Sequence, residues 1–151
     1  EAFARVRKER PTARLLLMEP KDPRVRARAE ADGVDFFTPD PRAVADIYKE
    51  AWVTGLASYN EAFGLVLVES LASGTPVFAS ADGGPAEIVD SPNVGRLFEG
   101  DDASDVAGAI LECLELAEDP STAAACRARA EDFATMTSAK RYVELYERLL
   151  S

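Results

Sequence analysis

The sequence predicts an α/β fold in which a parallel sheet carries helices on both faces, and three observations predict it. Short apolar runs of strand length alternate with helical segments from residue 13 to residue 89, which is the pattern of a parallel sheet covered on both sides. Past residue 100 the pattern becomes all helix. The 151 residues are 47% apolar and 29% charged, enough for one domain with a real core and unlike a disordered chain.

Each element follows from local chemistry. EAFARVRKER at the start reads as a helix ended by Pro11. ARLLLME, residues 13–19, is an apolar run of strand length. DPRVRARAEADG, residues 22–33, combines an Asp cap, Pro in the first turn and Gly33 as the stop, and so reads as a helix. VDFF, residues 34–37, is a short strand. DPRAVADIYKEA, residues 40–51, repeats the Asp-Pro start and puts Val44, Ile47 and Tyr48 on one face. WVTGLA at 52–57 is strand-like, FGLVLVESLASG at 63–74 reads as a buried helix closed by Gly74, and PVFAS at 76–80 is a strand again. GGPAEIVD, residues 83–90, is a Gly-rich turn opening a short helix at Pro85. The helical part carries three apolar stripes: Val106, Ile110, Cys113 and Leu114; then Cys126, Ala130 and Phe133; then Tyr142, Val143, Tyr146, Leu149 and Leu150. Such stripes are ordinarily core faces, so the last three helices are expected to pack around the sheet. A doubly wound domain opens with its first strand, whereas this chain opens with a helix; the expectation is a fragment, residues 1–151, that lacks that strand.

Composition narrows the function classes. The net charge of −10 argues against a nucleic-acid backbone as partner. It is unevenly spread: residues 1–50 hold 11 basic and 10 acidic side chains, and residues 51–151 hold 6 and 17. The basic cluster RVRKER is read first as a solvated helix face, with contact to a membrane surface or a substrate phosphate as the alternative. Two cysteines, Cys113 and Cys126, point to a reducing, cytoplasmic compartment rather than a disulfide framework. With no histidine, neither zinc nor haem is expected.

The stretch SYNEAFGLVLVE, residues 58–69, carries the chemistry. It places Glu61 and Glu69 on either side of an uncharged run. Ligands of an open parallel sheet bind at the carboxyl ends of its strands, and SYNEAFG is the loop at the end of WVTGLA. A helix starting near Ala62 or Phe63 presents unpartnered N–H groups and the positive end of its dipole, a site for phosphate, and Gly64 permits close approach. Glu69 is then six residues past Phe63, roughly 9 Å along the helix, where its two oxygens suit the adjacent hydroxyls of a ribose. Glu61, on the other side of the phosphates, would face a sugar. The competing reading has Glu61 capping the helix start and Glu69 paired with an Arg or a backbone amide.

Residues 58–89, SYNEAFGLVLVESLASGTPVFASADGGPAEIV, closely resemble the donor-binding signature of retaining GT-B glycosyltransferases of family 4. The matching positions are Glu61, Phe63, Gly64, Glu69, Gly74, Thr75, Pro76, Val77, Gly83, Gly84 and Glu87, and looser likeness extends along the chain. The resemblance implies a Rossmann-like domain, the carboxyl-terminal half of a GT-B fold, with the amino-terminal acceptor domain outside this chain. It implies a nucleotide diphosphate sugar as donor substrate, no cofactor and no metal, and transfer with retention. By position Glu69 matches the ribose-binding acid and Glu61 the acid near the transfer centre. Ala62, Phe63, Gly64 and Leu65 match the loop around phosphate and sugar, Gly83 and Gly84 the facing turn, and Phe37 and Thr38 the base loop. Peripheral membrane contact would come through the parent chain. Two departures bear on the base pocket. Pro20 stands in a turn that is usually Gly-rich, and Thr38 stands where glycine is usual. They leave open a second class of function, a regulatory or scaffolding domain that kept the fold and lost the chemistry.

Overall fold

In the computed structural model, residues 1–38, 40 and 43–150 are described. The elements run α1 (Ala2–Glu9), β1 (Leu15–Met18), α2 (Pro23–Ala29), β2 (Val34–Phe37), α3 (Val44–Glu50), β3 (Thr54–Leu56), α4 (Leu65–Ser73), β4 (Val77–Ser80), α5 (Pro85–Ile88), β5 (Gly95–Phe98), α6 (Ala103–Ala117), α7 (Thr122–Glu131) and α8 (Thr135–Leu150). All strand pairs are parallel. β1 pairs with β2, Leu15 opposite Val34; β4 pairs with β3, Val77 opposite Thr54, and with β5, Val77 opposite Gly95. β5 extends the alternation beyond the segment from which it was read. α1 packs on α6, while α3 and α7 pack on α4, so helices flank the parallel sheets on both faces.

Local chemistry sets the helix starts. Asp22 caps α2 by accepting from the Arg24 N–H at 2.8 Å, with Pro23 in the first turn. Asp102 caps α6 through the Ser104 N–H at 2.6 Å. α2 ends at Ala29, short of Gly33, because the chain turns to an extended conformation at Glu30. α3 begins at Val44 rather than at Asp40, whose carbonyl accepts from the Ala43 and Val44 N–H groups; Pro41 and Arg42 lie outside the described residues.

The core is built around α4. Leu67 and Leu71 meet Val77 and Ala79 of β4, Ile88 of α5, and Cys126 and Ala130 of α7. Ser70 and Thr75, both buried, are satisfied by backbone carbonyls: Ser70 Oγ donates to Thr75 O at 3.2 Å and Thr75 Oγ1 to Tyr48 O at 2.6 Å. Both cysteines are free and buried, and burial pushes the Cys113 and Cys126 thiols up to about 12 and about 11.

Two expectations need correction. α4 is not buried all round: it starts at Leu65, its N-cap is Gly64, and one face, with Leu65 64% exposed beside Val66, Glu69 and Ala72, is open. The composition of the run could not reveal which side the sheet covers. The third stripe is not a core face of this chain either. Every residue of α8 from 139 to 150 is exposed, Leu149 by 72% and Leu150 by 88%. An amphipathic period shows that a helix has an apolar face, not what covers it. No helix among the described residues is long and apolar enough to cross a membrane.

Candidate functional site

The loop between β3 and α4 and the turn between β4 and α5 meet, and four contacts knit them. Ser80 Oγ donates to Ser58 O at 2.6 Å. The Asn60 N–H donates to Asp82 Oδ2 at 2.7 Å, holding Asn60 in the left-handed region at φ 54°. The Gly84 N–H donates to Glu61 O at 2.8 Å. Gly83 (φ 72°) presses on the Glu61 backbone so closely that a Cβ there would overlap the Glu61 carbonyl oxygen, and a Cβ at Gly84 would overlap that of Phe63. Both conditions, positive φ and no room for a side chain, demand glycine at position 83.

This junction places Glu61, Ala62, Phe63, Gly64, Gly83 and Gly84 together at the start of α4. Gly64, buried and at φ 97°, turns the chain into the helix. The first N–H groups of α4 belong to Leu65 and Val66, two or three residues later than the start near Ala62 or Phe63 that the sequence suggested, and they lack partners within the helix. Glu61 accepts from the Phe63 N–H at 3.2 Å. Phe63 precedes the N-cap Gly64, so this bond closes the loop ahead of α4 and is not the helix cap that the competing reading assigned to Glu61.

Glu69 lies one turn into α4, roughly 6 Å from Leu65, and is exposed. Its Oε2 accepts from the Tyr48 hydroxyl at 3.2 Å. Burial first, and then the adjacent Glu69 charge, push the Tyr48 hydroxyl up to about 12, so it remains a donor at neutral pH. The pair opens onto a groove between α3 and α4 lined by Val44, Tyr48, Lys49, Ser73 and Arg127. The partner of Glu69 is thus a tyrosine, not the Arg or amide of the competing reading, and the groove beside it is open to a ligand.

Phe37 ends β2 and the exposed Thr38 follows it. They lie at the end of the β1–β2 ladder, Phe37 in it and Thr38 just past it, and no hydrogen bond joins them to the 58–64 loop among the described residues. Sequence reasoning missed Asp82 and Ser80 as the residues that tie the loops, and Tyr48 as the partner of Glu69. An acid directly before Gly-Gly, suited to bond a nearby backbone N–H, was the one available signal.

A family model described as glycosyl transferases group 1 matches residues 1–133. The D-inositol 3-phosphate glycosyltransferase of Corynebacterium kroppenstedtii is 37% identical over 119 residues, covering 76% of this chain and 26% of that protein. The protein of the same name from Mycolicibacterium smegmatis is 42% identical over 103 residues, 67% of this chain and 23% of its own length. The chain therefore spans about a quarter of these relatives. Among solved structures, a glycosyltransferase from Rickettsia africae superposes with a TM-score of 0.79 at 20% identity, covering 99% of this chain and 43% of the other. A sucrose-phosphate synthase from Thermosynechococcus elongatus gives 0.76 at 30% identity, with 99% and 41% covered. The α/β arrangement matches that of these GT-B glycosyltransferases.

Proposed function

The chain belongs to the glycosyl transferases group 1 family, and from that premise we propose that it is the donor-binding half of a glycosyltransferase that moves a sugar, with retention, from a nucleotide diphosphate sugar to an acceptor held by another part of a longer protein. The observation that supports this most is the junction of the two loops at the start of α4, which gathers a carboxylate, a glycine turn and unpartnered helix N–H groups at one point.

The roles follow from the chemistry of each group. The N–H groups of Leu65 and Val66, at the positive end of the α4 dipole, receive the diphosphate. Glu69, aimed by Tyr48, accepts the ribose hydroxyls, and Phe37 and Thr38 border the base. Glu61 faces the donor sugar. During transfer the acceptor oxygen bonds to the anomeric carbon as the bond from that carbon to the phosphate oxygen breaks. The departing diphosphate takes the acceptor's proton, and Glu61 stabilises the positive character on the sugar. No metal or cofactor is called for in this scheme, since amides and the helix dipole address the phosphate charge. The buried free thiols support a cytoplasmic setting, with membrane contact left to the parent chain.

The test is nucleoside diphosphate release by the full-length protein from uridine and guanosine diphosphate hexoses, with D-inositol 3-phosphate, the compound in the relatives' name, as the first acceptor assayed. Saturable dependence on one donor supports the reading. A full-length protein that neither binds nor consumes any of them sinks it and favours the regulatory alternative.

A further inference from the structure

Arg129 makes an unusual set of contacts for one side chain. It lies on α7, outside both site loops, and is only 17% exposed. Its Nε donates to Ile88 O at 2.9 Å, and a terminal nitrogen donates to Glu87 O. Both are carbonyls at the end of α5, where a helix leaves acceptors unpaired and its dipole is negative. The other terminal nitrogen reaches Asp132 Oδ2 at 2.8 Å and Asp90 Oδ2 at 3.2 Å. The guanidinium also stacks on the ring of Phe133, 4.7 Å from its centroid. That ring meets Phe63 edge to face, with centroids 5.8 Å apart at 73°.

Followed outward, these contacts end on the two site loops. α5 has four residues, too few to hold its own shape by internal bonds, and Gly83 and Gly84 lead directly into it. Phe63 carries the N–H that Glu61 accepts, and its backbone is what Gly84 presses against. One guanidinium on α7 and one ring in the turn that follows it therefore grip the far end of α5, into which the glycine turn leads, and the residue two places past Glu61.

We infer that Arg129 and Phe133 form a brace that holds the two site loops against each other, and so fixes where Glu61 and the Gly83–Gly84 turn stand at the start of α4 toward the donor. The inference rests on the donor reading above and makes neither residue catalytic. Lysine cannot replace the arginine here: an ammonium has three rotatable donors, but no plane to stack on Phe133 and no fork to span two adjacent carbonyls.

The experiment uses the full-length protein with Arg129→Lys and, separately, Phe133→Leu. Thermal melts are recorded, and donor KM and kcat are measured as nucleoside diphosphate release from uridine and guanosine diphosphate hexoses. A purely structural residue lowers the folded fraction, hence kcat, and leaves donor KM in place. A brace misplaces the loops in molecules that are folded, so donor KM rises by roughly ten- to a hundredfold in a variant that still melts cooperatively. If Arg129→Lys fails to fold, Phe133→Leu, which keeps the arginine and its hydrogen bonds, decides. Donor KM equal to wild type in the folded variants overturns the brace. Because wild type is measured alongside, failure of the donor reading is distinguishable: it shows as a wild type with no donor dependence at all.

Discussion

At Gly84 a single hydrogen separates two loops. A Cβ there would lie 2.7 Å from the Ala62 carbonyl oxygen and closer still to that of Phe63, so Gly84→Ala must push the β4–α5 turn away from the Glu61 loop. Overpacking of this kind costs about 1–3 kcal/mol, and it should appear in urea denaturation together with a raised donor KM. Unchanged stability and KM would mean that the loops are not held in this contact. Tyr48 carries a pH signature. Its folded pKa is raised, to about 12, above the ordinary value of about 10. The fold therefore favours the protonated hydroxyl, and this contribution to stability is complete below about pH 10 and is lost as pH rises toward 12. Melting temperatures measured from pH 8 to 12 should fall less steeply for Tyr48→Phe than for wild type, and parallel curves would contradict a Tyr48 hydroxyl raised by burial and by the neighbouring Glu69. At this scale the sequence revealed the residue types of the site but not their partners. Glu61 and Glu69 stand out by charge against an apolar run. That Asp82 would take the Asn60 N–H, and Tyr48 the Glu69 carboxylate, depends on contacts between residues more than twenty positions apart.

The helices divide by what covers them. Leu71 of α4 is fully buried beneath α7 and β4, whereas Leu149 of α8 is 72% exposed. Leu71→Ala should cost about 2–5 kcal/mol through the cavity it leaves, and Leu149→Ala should stay within about 0.5 kcal/mol. Urea denaturation of the two variants of this chain checks both, and a large loss at Leu149 would show that α8 packs on the domain after all. The two helices also show where periodicity informs and where it stops. Both are apolar on one side. The strands around α4 made its core role legible, yet not that its other side would leave Leu65 and Glu69 open. Nothing near residues 139–150 in the sequence distinguishes a covered stripe from an uncovered one. Asp22 was the legible cap, bonding the N–H two residues on as its type and position allow; Asp102 does the same for α6 without having been singled out in the sequence, and the second Asp-Pro start, at Asp40, did not become the cap of α3.

Over the whole molecule, alternation of strand and helix gave the parallel α/β class, because a crossover helix is the usual means of joining parallel neighbours. It did not give the pairing, in which β1 and β2 form one ladder and β3, β4 and β5 another, since strand order is set by packing between distant segments. The site stands on the second ladder, at the junction of the turns that follow β3 and β4, with Glu69 on the helix between them. The claim that this junction binds a nucleotide diphosphate sugar assigns unlike jobs to its two acids, and a donor titration of Glu69→Gln and Glu61→Gln in the full-length protein tests it most directly. Glu69 contacts a ribose that does not react, so its loss should raise donor KM, by a binding cost of roughly 1–3 kcal/mol, with kcat nearly kept. Glu61 faces the sugar on which positive charge develops, so Glu61→Gln should lower kcat more than it changes KM. A Glu69→Gln protein with unaltered donor KM and reduced folding stability would contradict the account, leaving Glu69 as a structural partner of Tyr48 and not a ligand.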